Sequence, residues 1–264
     1  HLANLDVQVS AFCDDTRDAV KGDLWSEDAA GFVNGGGLDA ERLACCVKGW
    51  AGCTEGGAKA PSQTVNYLSC HDDWTLWDRL VMTGDPERRF QLCQPELLRQ
   101  NRLAAAVNFT CQGHLFFLSG EEFARTKGGV KNTYASPVEV NRLDWSRAWE
   151  NRELVEYYRG LLALRMRLPG LRDKTPEAAK RLLAVTVPAE DCGAVLVDNR
   201  GEGSPWKRLF MAYSAAREEV SLPLPRGDWE ILADAHSSFA WREPPVARDA
   251  AVLEPVSALI LGQR

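Results

Sequence analysis

Three segments of the chain share one format: a short, mostly apolar run that ends abruptly in acidic residues and is followed by a stretch compatible with a helix. They are NLDVQVSAFCDD (4–15), QTVNYLSCHDD (63–73) and HLFFLSGEE (114–122). Buried parallel strands have this apolar character, and strands that alternate with helical stretches indicate βα units. The pattern therefore predicts an α/β fold whose active site lies at the carboxyl ends of the strands, where the acids cluster.

The chain changes character in its last third. Before that point, the spacing of apolar residues predicts helices over 96–113 and 151–168, and the Gly-rich residues 34–60 are predicted to form a loop. Six short runs with β-strand character then follow, separated by turn-forming residues: LLAVTV, AVLVDN, RLFMAYS, EVSLPLP, WEILAD and SALILG. We therefore predict two domains, βα units over 1–172 and an antiparallel β-sandwich over 173–264.

Charge and hydropathy argue against two classes of partner. The 264 residues carry a net charge of −6 at pH 7 and contain no basic block, which argues against nucleic acid or an anionic membrane. The longest mostly apolar stretch, LAAAVNFTCQGHLFFLSG, is interrupted by Asn108, Gln112 and His114. It is predicted to be a buried core segment rather than a membrane span.

The cysteines indicate the redox compartment. All eight lack a CxxC pair or another zinc-like spacing. Cys70 and Cys111 lie in apolar stretches and are expected to be buried thiols. We therefore predict reduced cysteines and a cytoplasmic location, in preference to the alternative of a disulfide-bonded secreted protein.

The second acidic segment contains the strongest candidate site, His71-Asp72-Asp73, at a predicted strand end. An aspartate accepts hydrogen bonds from hydroxyls and stabilises a developing cation, which fits a role facing a substrate. Spacing alone favours a plainer role, in which Asp72 or Asp73 caps a helix that starts near Thr75. A metal site is a third alternative, but no partner ligand is evident at helical or hairpin spacing.

Neighbouring aromatic and acidic residues leave further alternatives open. Trp74 and Trp77 could present a surface on which a sugar ring stacks, or could pack as core residues of the following helix. Glu121 and Glu122 could form a second catalytic pair, or one buried structural acid beside an exposed one. The charged groups of CDDTRD, after the first strand, are expected to form an ion-pair network that shapes the loop.

Longer motifs around these residues resemble one family, the type I pullulanases of the α-amylase superfamily of glycoside hydrolases. PSQTVNYLSCHDDWTLWDRL resembles their seventh barrel strand, CQGHLFFLSGEEFARTKGG their eighth, and AFCDDTRDAVKG with GFVNG their sixth-strand region. NTYASPVEVNRLDW follows at the expected distance, and YYRGLLALRMRLPGLR resembles the final barrel helix. The resemblance runs in order from about residue 5 to the end of the chain. It implies the C-terminal part of a (β/α)8 TIM barrel, about strands 6–8, followed by an all-β sandwich.

The resemblance also implies roles for individual residues. Asp72 corresponds to the family's transition-state-stabilising aspartate, and His71 to the histidine that hydrogen-bonds the sugar before the scissile bond. In such retaining glycosidases one carboxylate attacks the anomeric carbon and a second acts as acid and then base, so Asp72 would be the third acid. Further substrate contacts are expected from Asp73, Trp74, Asn132, Tyr134 and Arg142.

Two features separate this chain from the family's complete pattern. The nucleophile Asp and the acid/base Glu belong to the fourth and fifth barrel strands, which are expected before residue 1. We therefore expect the chain to be part of a longer protein and to be inactive alone. Within the chain, Asp73 stands where asparagine is usual and Val138 stands where an acid is usual.

The function that the resemblance implies is debranching of starch and glycogen, by hydrolysis of α-1,6-glucosidic bonds in pullulan and in branched α-glucans such as maltodextrins. It implies no organic cofactor. Calcium occurs in parts of the superfamily, but the sequence offers no ligand set for it or for another metal. Two alternatives remain: an isoamylase-type glycogen debranching enzyme or another α-amylase relative, and a non-catalytic α-glucan-binding module.

Overall fold

A three-stranded parallel sheet organises the first part of the molecule. The structure is a computed structural model that describes residues 2–53 and 57–264. The strands are β1 (Ala11–Cys13), β2 (Thr64–Asn66) and β3 (His114–Leu115), with β2 in the centre. The parallel pairing confirms the prediction of βα units, although each strand is shorter than the apolar run that predicted it.

Buried side-chain hydrogen bonds connect these short strands to their surroundings. The Asn66 side chain, at the end of β2, accepts a hydrogen bond from Thr16 Oγ1 at 2.9 Å and donates one to the carbonyl of Gln112 at 2.6 Å. Trp50 in turn donates its indole N–H to Thr16 Oγ1. Buried polar groups of this kind are stable only when paired, so the bonds fix where β2 ends and where the following loop begins.

Two long helices confirm the helical predictions. The described residues contain the helices α1 (Asp14–Lys21), α2 (Ala40–Val47), α3 (Leu76–Gly84), α4 (Pro95–Thr110), α5 (Val138–Asn141), α6 (Trp145–Glu150), α7 (Arg152–Met166) and α8 (Pro169–Arg172). Helices α4 and α7 coincide with the helices predicted over 96–113 and 151–168, and they pack against each other. Tyr158 of α7 donates its hydroxyl to Asn101 of α4 at 2.8 Å within this interface.

Helix α2 corrects the prediction of a loop over 34–60, of which residues 54–56 lie outside the described part of the chain. It begins at Ala40 because the Asp39 carboxylate accepts hydrogen bonds from two backbone N–H groups of its first turn. Leu43 and Val47 are buried on its inner face. Side-chain capping and an apolar face therefore produce a helix here, although the glycines on either side favour a loop.

The second part of the chain is antiparallel. Its strands are β4 (Leu182–Ala189), β5 (Cys192–Asp198), β6 (Arg208–Ser214), β7 (Val220–Pro223), β8 (Trp229–Ala233), β9 (Val246–Ala247), β10 (Ala250–Leu253) and β11 (Ser257–Gln263). Six of them form a sheet in the order β4-β5-β6-β11-β8-β9, and β10 pairs with β7 in a separate sheet. The predicted runs are all strands, whereas β9 and β10 have no alternating pattern and were not predicted.

An apolar cluster joins the two antiparallel sheets. Leu222 of β7 and Leu253 of β10 pack in the same cluster as Phe210 and Leu261 of the larger sheet. The shorter sheet therefore covers one face of the longer one.

A larger apolar cluster extends from the parallel part of the molecule into the six-stranded sheet. It contains Leu103 and Phe109 of α4 together with Tyr213 and Ile260. The hydroxyls of Thr110 and Tyr213 are hydrogen-bonded across this boundary at 2.5 Å. The division into 1–172 and 173–264 stays a prediction, since one core crosses it.

The cysteine prediction is wrong in two respects. Cys45 and Cys53 form a disulfide, so reduced thiols throughout are not what the structure contains. Cys70 is half-buried rather than buried, whereas Cys111 is buried as predicted. The cytoplasmic location, which rests on reduced thiols, stays a prediction. No helix in the described part of the chain is long and apolar enough to span a membrane.

Candidate functional site

The candidate site is the loop that connects the carboxyl end of β2 to α3. Thr75 caps α3, because its side-chain oxygen accepts a hydrogen bond from the backbone N–H of Asp78 at 3.0 Å. Neither Asp72 nor Asp73 serves as the helix cap that spacing alone suggested. Their carboxylates are therefore not committed to the helix start.

Asp72 and His71 form the exposed part of this loop. The side chain of His71 is 82% exposed and that of Asp72 is 55% exposed. His71 Nε2 lies 3.3 Å from Asp72 Oδ2, so the imidazole orients the carboxylate without burying it. An acceptor and an imidazole held side by side in solvent can bind the hydroxyl groups of a polar ligand.

The sequence-predicted residues Asp73 and Asn132 are brought together from distant parts of the chain. The backbone N–H of Asp73 donates to Asn132 Oδ1 at 3.1 Å. Both residues adopt left-handed backbone conformations, with φ of 53° and 55°. Among residues other than glycine, Asn and Asp tolerate this conformation best, so Asp73 can replace the asparagine that is usual in the family without backbone change.

Two residues that the sequence analysis did not single out anchor the loop from below. The buried Asp78 carboxylate accepts hydrogen bonds from Thr126 Oγ1 and, at 2.9 Å, from the backbone N–H of Lys127. Lys127 Nζ then donates to the carbonyl of His71 at 3.4 Å. These contacts join the TLWD and RTK motifs, which lie far apart in sequence, and they support His71 through its backbone.

An ion-pair network at the start of α1 forms one wall of the site. The network was predicted, but its residues lie in a helix that follows β1 directly and not in a loop. Arg17 pairs with Asp14 at 2.9 Å and with Asp18 at 2.6 Å, and Tyr67 donates its hydroxyl to Asp14 at 2.6 Å. Burial and the bond to Asp14 raise the pKa of Tyr67 well above its usual value, which keeps the hydroxyl protonated. The ion pairs and the hydrogen bond thus hold the polar groups on this side of the site in fixed positions.

A cleft of about 270 Å³ lies between this wall and the loop. Its lining includes Asp14, Arg17, Lys21, Ser69, Cys70 and Asp72. Asp73 and Trp74 also border it. The cleft therefore combines three carboxylates with two cations at the carboxyl end of β2.

A buried pair of opposite charges lies beneath the cleft. Lys21 is 1% exposed and Glu121 is 3% exposed. Burial raises the pKa of Glu121 and lowers that of Lys21, and the attraction between them opposes both shifts. Glu122 is half-buried, so the alternative of one buried structural acid beside a more exposed one holds for Glu121 and Glu122.

The predicted aromatic surface for sugar stacking is wrong. Trp74 is 3% exposed and Trp77 is 1% exposed. The ring of Trp74 carries the Arg79 guanidinium at 4.9 Å and the Lys131 ammonium at 4.5 Å, and its indole N–H donates to the carbonyl of Gly129. Cation–π contacts and core packing therefore use the ring faces that a sugar would need.

The predicted residues Tyr134 and Arg142, and Val138 between them in sequence, are exposed on the surface. Tyr134 is 84% exposed, and Val138, at the start of α5, is 75% exposed. Arg142 is exposed and borders a separate depression with Glu139 and Asp144. Among the described residues, no hydrogen bond or ion pair joins Tyr134 or Arg142 to the loop of Asp72, so their substrate contacts stay predictions.

The chain is similar to known proteins over most of its length. It is 34% identical over 236 residues to a pullulanase of Bacillus subtilis (strain 168), a match that covers 86% of this chain and 31% of the relative. The fold matches a pullulanase from Bacillus acidopullulyticus with a TM-score of 0.86 and 28% identity, over 96% of this chain and 30% of that one. It also matches a Paenibacillus barengoltzii pullulanase solved with maltohexaose and α-cyclodextrin, with a TM-score of 0.80 and 33% identity, over 96% of this chain and 38% of that one. No protein-family model matches the chain.

The fold, with its mixed helix and sheet content, is similar to that of pullulanases, which are a class of glycoside hydrolases. More particularly, the chain is a homologue of the type I pullulanases, as its motifs indicated. It spans about a third of the length of the relatives that it matches.

Proposed function

We propose that this chain is the C-terminal part of a debranching α-1,6-glucosidase. The observation that carries the proposal is the position of the exposed Asp72 and His71 at the carboxyl end of β2, in a chain homologous to pullulanases. In this proposal β1, β2 and β3 are about strands 6–8 of a (β/α)8 barrel within residues 1–172. The two antiparallel sheets form the β-sandwich of residues 173–264.

Asp72 acts in this proposal as the acid that stabilises the transition state. Glycoside hydrolysis passes through an oxocarbenium-like transition state, and a nearby carboxylate stabilises the positive charge that develops on the sugar ring. Asp72 also accepts hydrogen bonds from the sugar hydroxyls, and His71 shares that contact. The bond from Asp73 to Asn132 and the bond from Lys127 to His71 hold the loop in place before substrate arrives.

The covalent steps require groups outside this chain. Retaining glycosidases use a nucleophilic carboxylate and a separate acid/base carboxylate. We infer that both come from outside residues 1–264, so the chain binds α-glucan but does not hydrolyse it alone. The substrates are pullulan and the branch points of starch, glycogen and branched maltodextrins, in line with the maltohexaose bound to a solved relative.

Two assays test this proposal. The full-length protein should release reducing ends from pullulan, and residues 1–264 alone should not. Release by residues 1–264 above a boiled control would contradict the division of catalytic groups. Calorimetric titration with maltotetraose should show binding by the full-length protein. A full-length protein that binds maltotetraose but leaves pullulan and glycogen intact would instead be a non-catalytic α-glucan-binding module.

A further inference from the structure

The loop that carries Asp72 also groups three side chains able to bind a metal ion. The ligand atoms of Cys70, His71 and Asp72 all lie within 4.8 Å of one another. Cys70 is half-buried, and His71 and Asp72 are exposed, so a cation can reach all three from solvent. Residue spacing indicated no partner ligand for His71, because Cys70 was predicted to be a buried thiol.

The distances within this Cys70-His71-Asp72 cluster suit a small tetrahedral cation. Two nitrogen or oxygen ligands of a tetrahedral Zn²⁺ lie about 3.3 Å apart, and a sulfur lies about 3.5 Å from either of them. His71 Nε2 and Asp72 Oδ2 are 3.3 Å apart. The sulfur is at most 4.8 Å from the other two ligand atoms, a gap that side-chain rotation of the exposed His71 and Asp72 can close.

The chemistry of the three ligands selects the class of metal. A thiolate with an imidazole and a carboxylate suits borderline-soft divalent ions such as Zn²⁺, whereas Ca²⁺ and Mg²⁺ require oxygen ligands. Three protein ligands leave one tetrahedral position for water. When the sulfur binds the metal, the thiol releases its proton to solvent, so one proton leaves for each ion bound.

The surroundings of the cluster hold its backbone in place. The Ser69 side chain is 2% exposed and lines the same cleft. The backbone of the cluster is held by Lys127, which donates to the carbonyl of His71, and by the adjoining bond from Asp73 to Asn132. Little ordering of the chain is therefore required when the ion binds.

We propose that Cys70, His71 and Asp72 form a binding site for Zn²⁺ or a cation of its class. A consequence rests on the proposed function: because the metal takes up His71 and Asp72, it excludes the α-glucan from the same loop. The debranching site would then be inhibited reversibly by zinc, through a cysteine that is not part of its glucan-binding machinery.

Titration of the folded 264-residue chain with Zn²⁺ and Co²⁺ tests the site. The wild type should bind one zinc ion by calorimetry, and cobalt should give the charge-transfer absorption of a thiolate ligand. Cys70→Ser should remove that absorption and weaken zinc binding at least tenfold, and His71→Ala should weaken it similarly. Cys93→Ser, which changes a half-buried thiol outside the cluster, is the matched control and should bind as the wild type does. Circular dichroism confirms that each variant is folded.

Equal zinc affinity in the wild type, Cys70→Ser and His71→Ala would overturn the proposed site. Competition then tests the consequence separately: saturating maltotetraose should raise the apparent Kd for zinc at least tenfold. An unchanged Kd, at a concentration where maltotetraose is bound without zinc, would overturn the exclusion. A lack of maltotetraose binding in the absence of zinc would count against the proposed function while the zinc site stands.

Discussion

Single buried residues set the geometry of the site more than its exposed acids do. The Asp78 carboxylate receives donors from Thr126 and Lys127, and Lys127 in turn supports the backbone of His71. No pattern in the sequence distinguishes such an acid from a surface acid of a helix, because the difference lies in contacts to residues almost 50 positions away. The exposed Asp72 and His71 were predictable from their motif, and the anchors beneath them were not.

Replacement of Asp78 tests this anchoring. Asp78→Asn puts an amide N–H₂ where two donors already point, so one buried bond is lost and one donor is left unpaired. We expect the free energy of unfolding to fall by about 1–3 kcal/mol in denaturant titrations. Asp28→Asn, which changes an exposed aspartate with no described side-chain bond, should change it by less than about 0.5 kcal/mol. Equal stability of the two variants would contradict the role of Asp78.

Asp85, which follows α3, is expected to make the stability of the protein depend on pH. Its carboxylate accepts two bonds from the Arg89 guanidinium and further bonds from backbone N–H groups, which lower its pKa to about 2. A carboxyl group with a lowered folded-state pKa stabilises the protein above its unfolded value, near 3.8, and that contribution is lost as pH falls towards 2. The stability difference between the wild type and Asp85→Asn should therefore be constant above pH 5 and shrink below pH 4. A difference that stays constant down to pH 2.5 would contradict this assignment.

The secondary-structure elements were predicted correctly where the periodicity of apolar residues agrees with their burial. Helices α4 and α7 and the six predicted strands of the antiparallel part follow from their apolar patterns. Helix α2 was missed because glycines around it masked a short capped helix with one apolar face. The prediction that Trp74 stacks on a sugar ring was wrong because Arg79 and Lys131 lie over the indole ring. Residue spacing in the sequence does not show these contacts.

The packing of α7 depends on a glycine. A Cβ on Gly160 would lie 1.9 Å from the carbonyl oxygen of Ser238, a contact that only movement of the backbone can relieve. Intrinsic helix propensity favours Ala over Gly by about 1 kcal/mol, yet we expect Gly160→Ala to lower the melting temperature. Ala163→Gly, at an exposed position of the same helix, is the control and should cost only the propensity difference of about 1 kcal/mol. A more stable Gly160→Ala variant would show that α7 does not pack this closely.

At the scale of the whole molecule, the order of motifs predicted both the parallel and the antiparallel parts, but not the core that they share. Leu103 and Phe109 of α4 belong to the same apolar cluster as Tyr213 and Ile260. The antiparallel part therefore also buries the helices behind the candidate site. Local sequence patterns do not show such contacts between distant segments. The sequence therefore predicts a domain boundary at residue 172, whereas in the structure one apolar cluster extends across it.

The central claim is that Asp72 stabilises the transition state of α-1,6-glucan hydrolysis. The most direct test is steady-state hydrolysis of pullulan by the full-length protein carrying Asp72→Asn, with Asp28→Asn as control. We predict that kcat falls by about 100- to 1,000-fold in Asp72→Asn, while the melting temperature is unchanged and Asp28→Asn retains full activity. A kcat within threefold of the wild type in Asp72→Asn would contradict the claim.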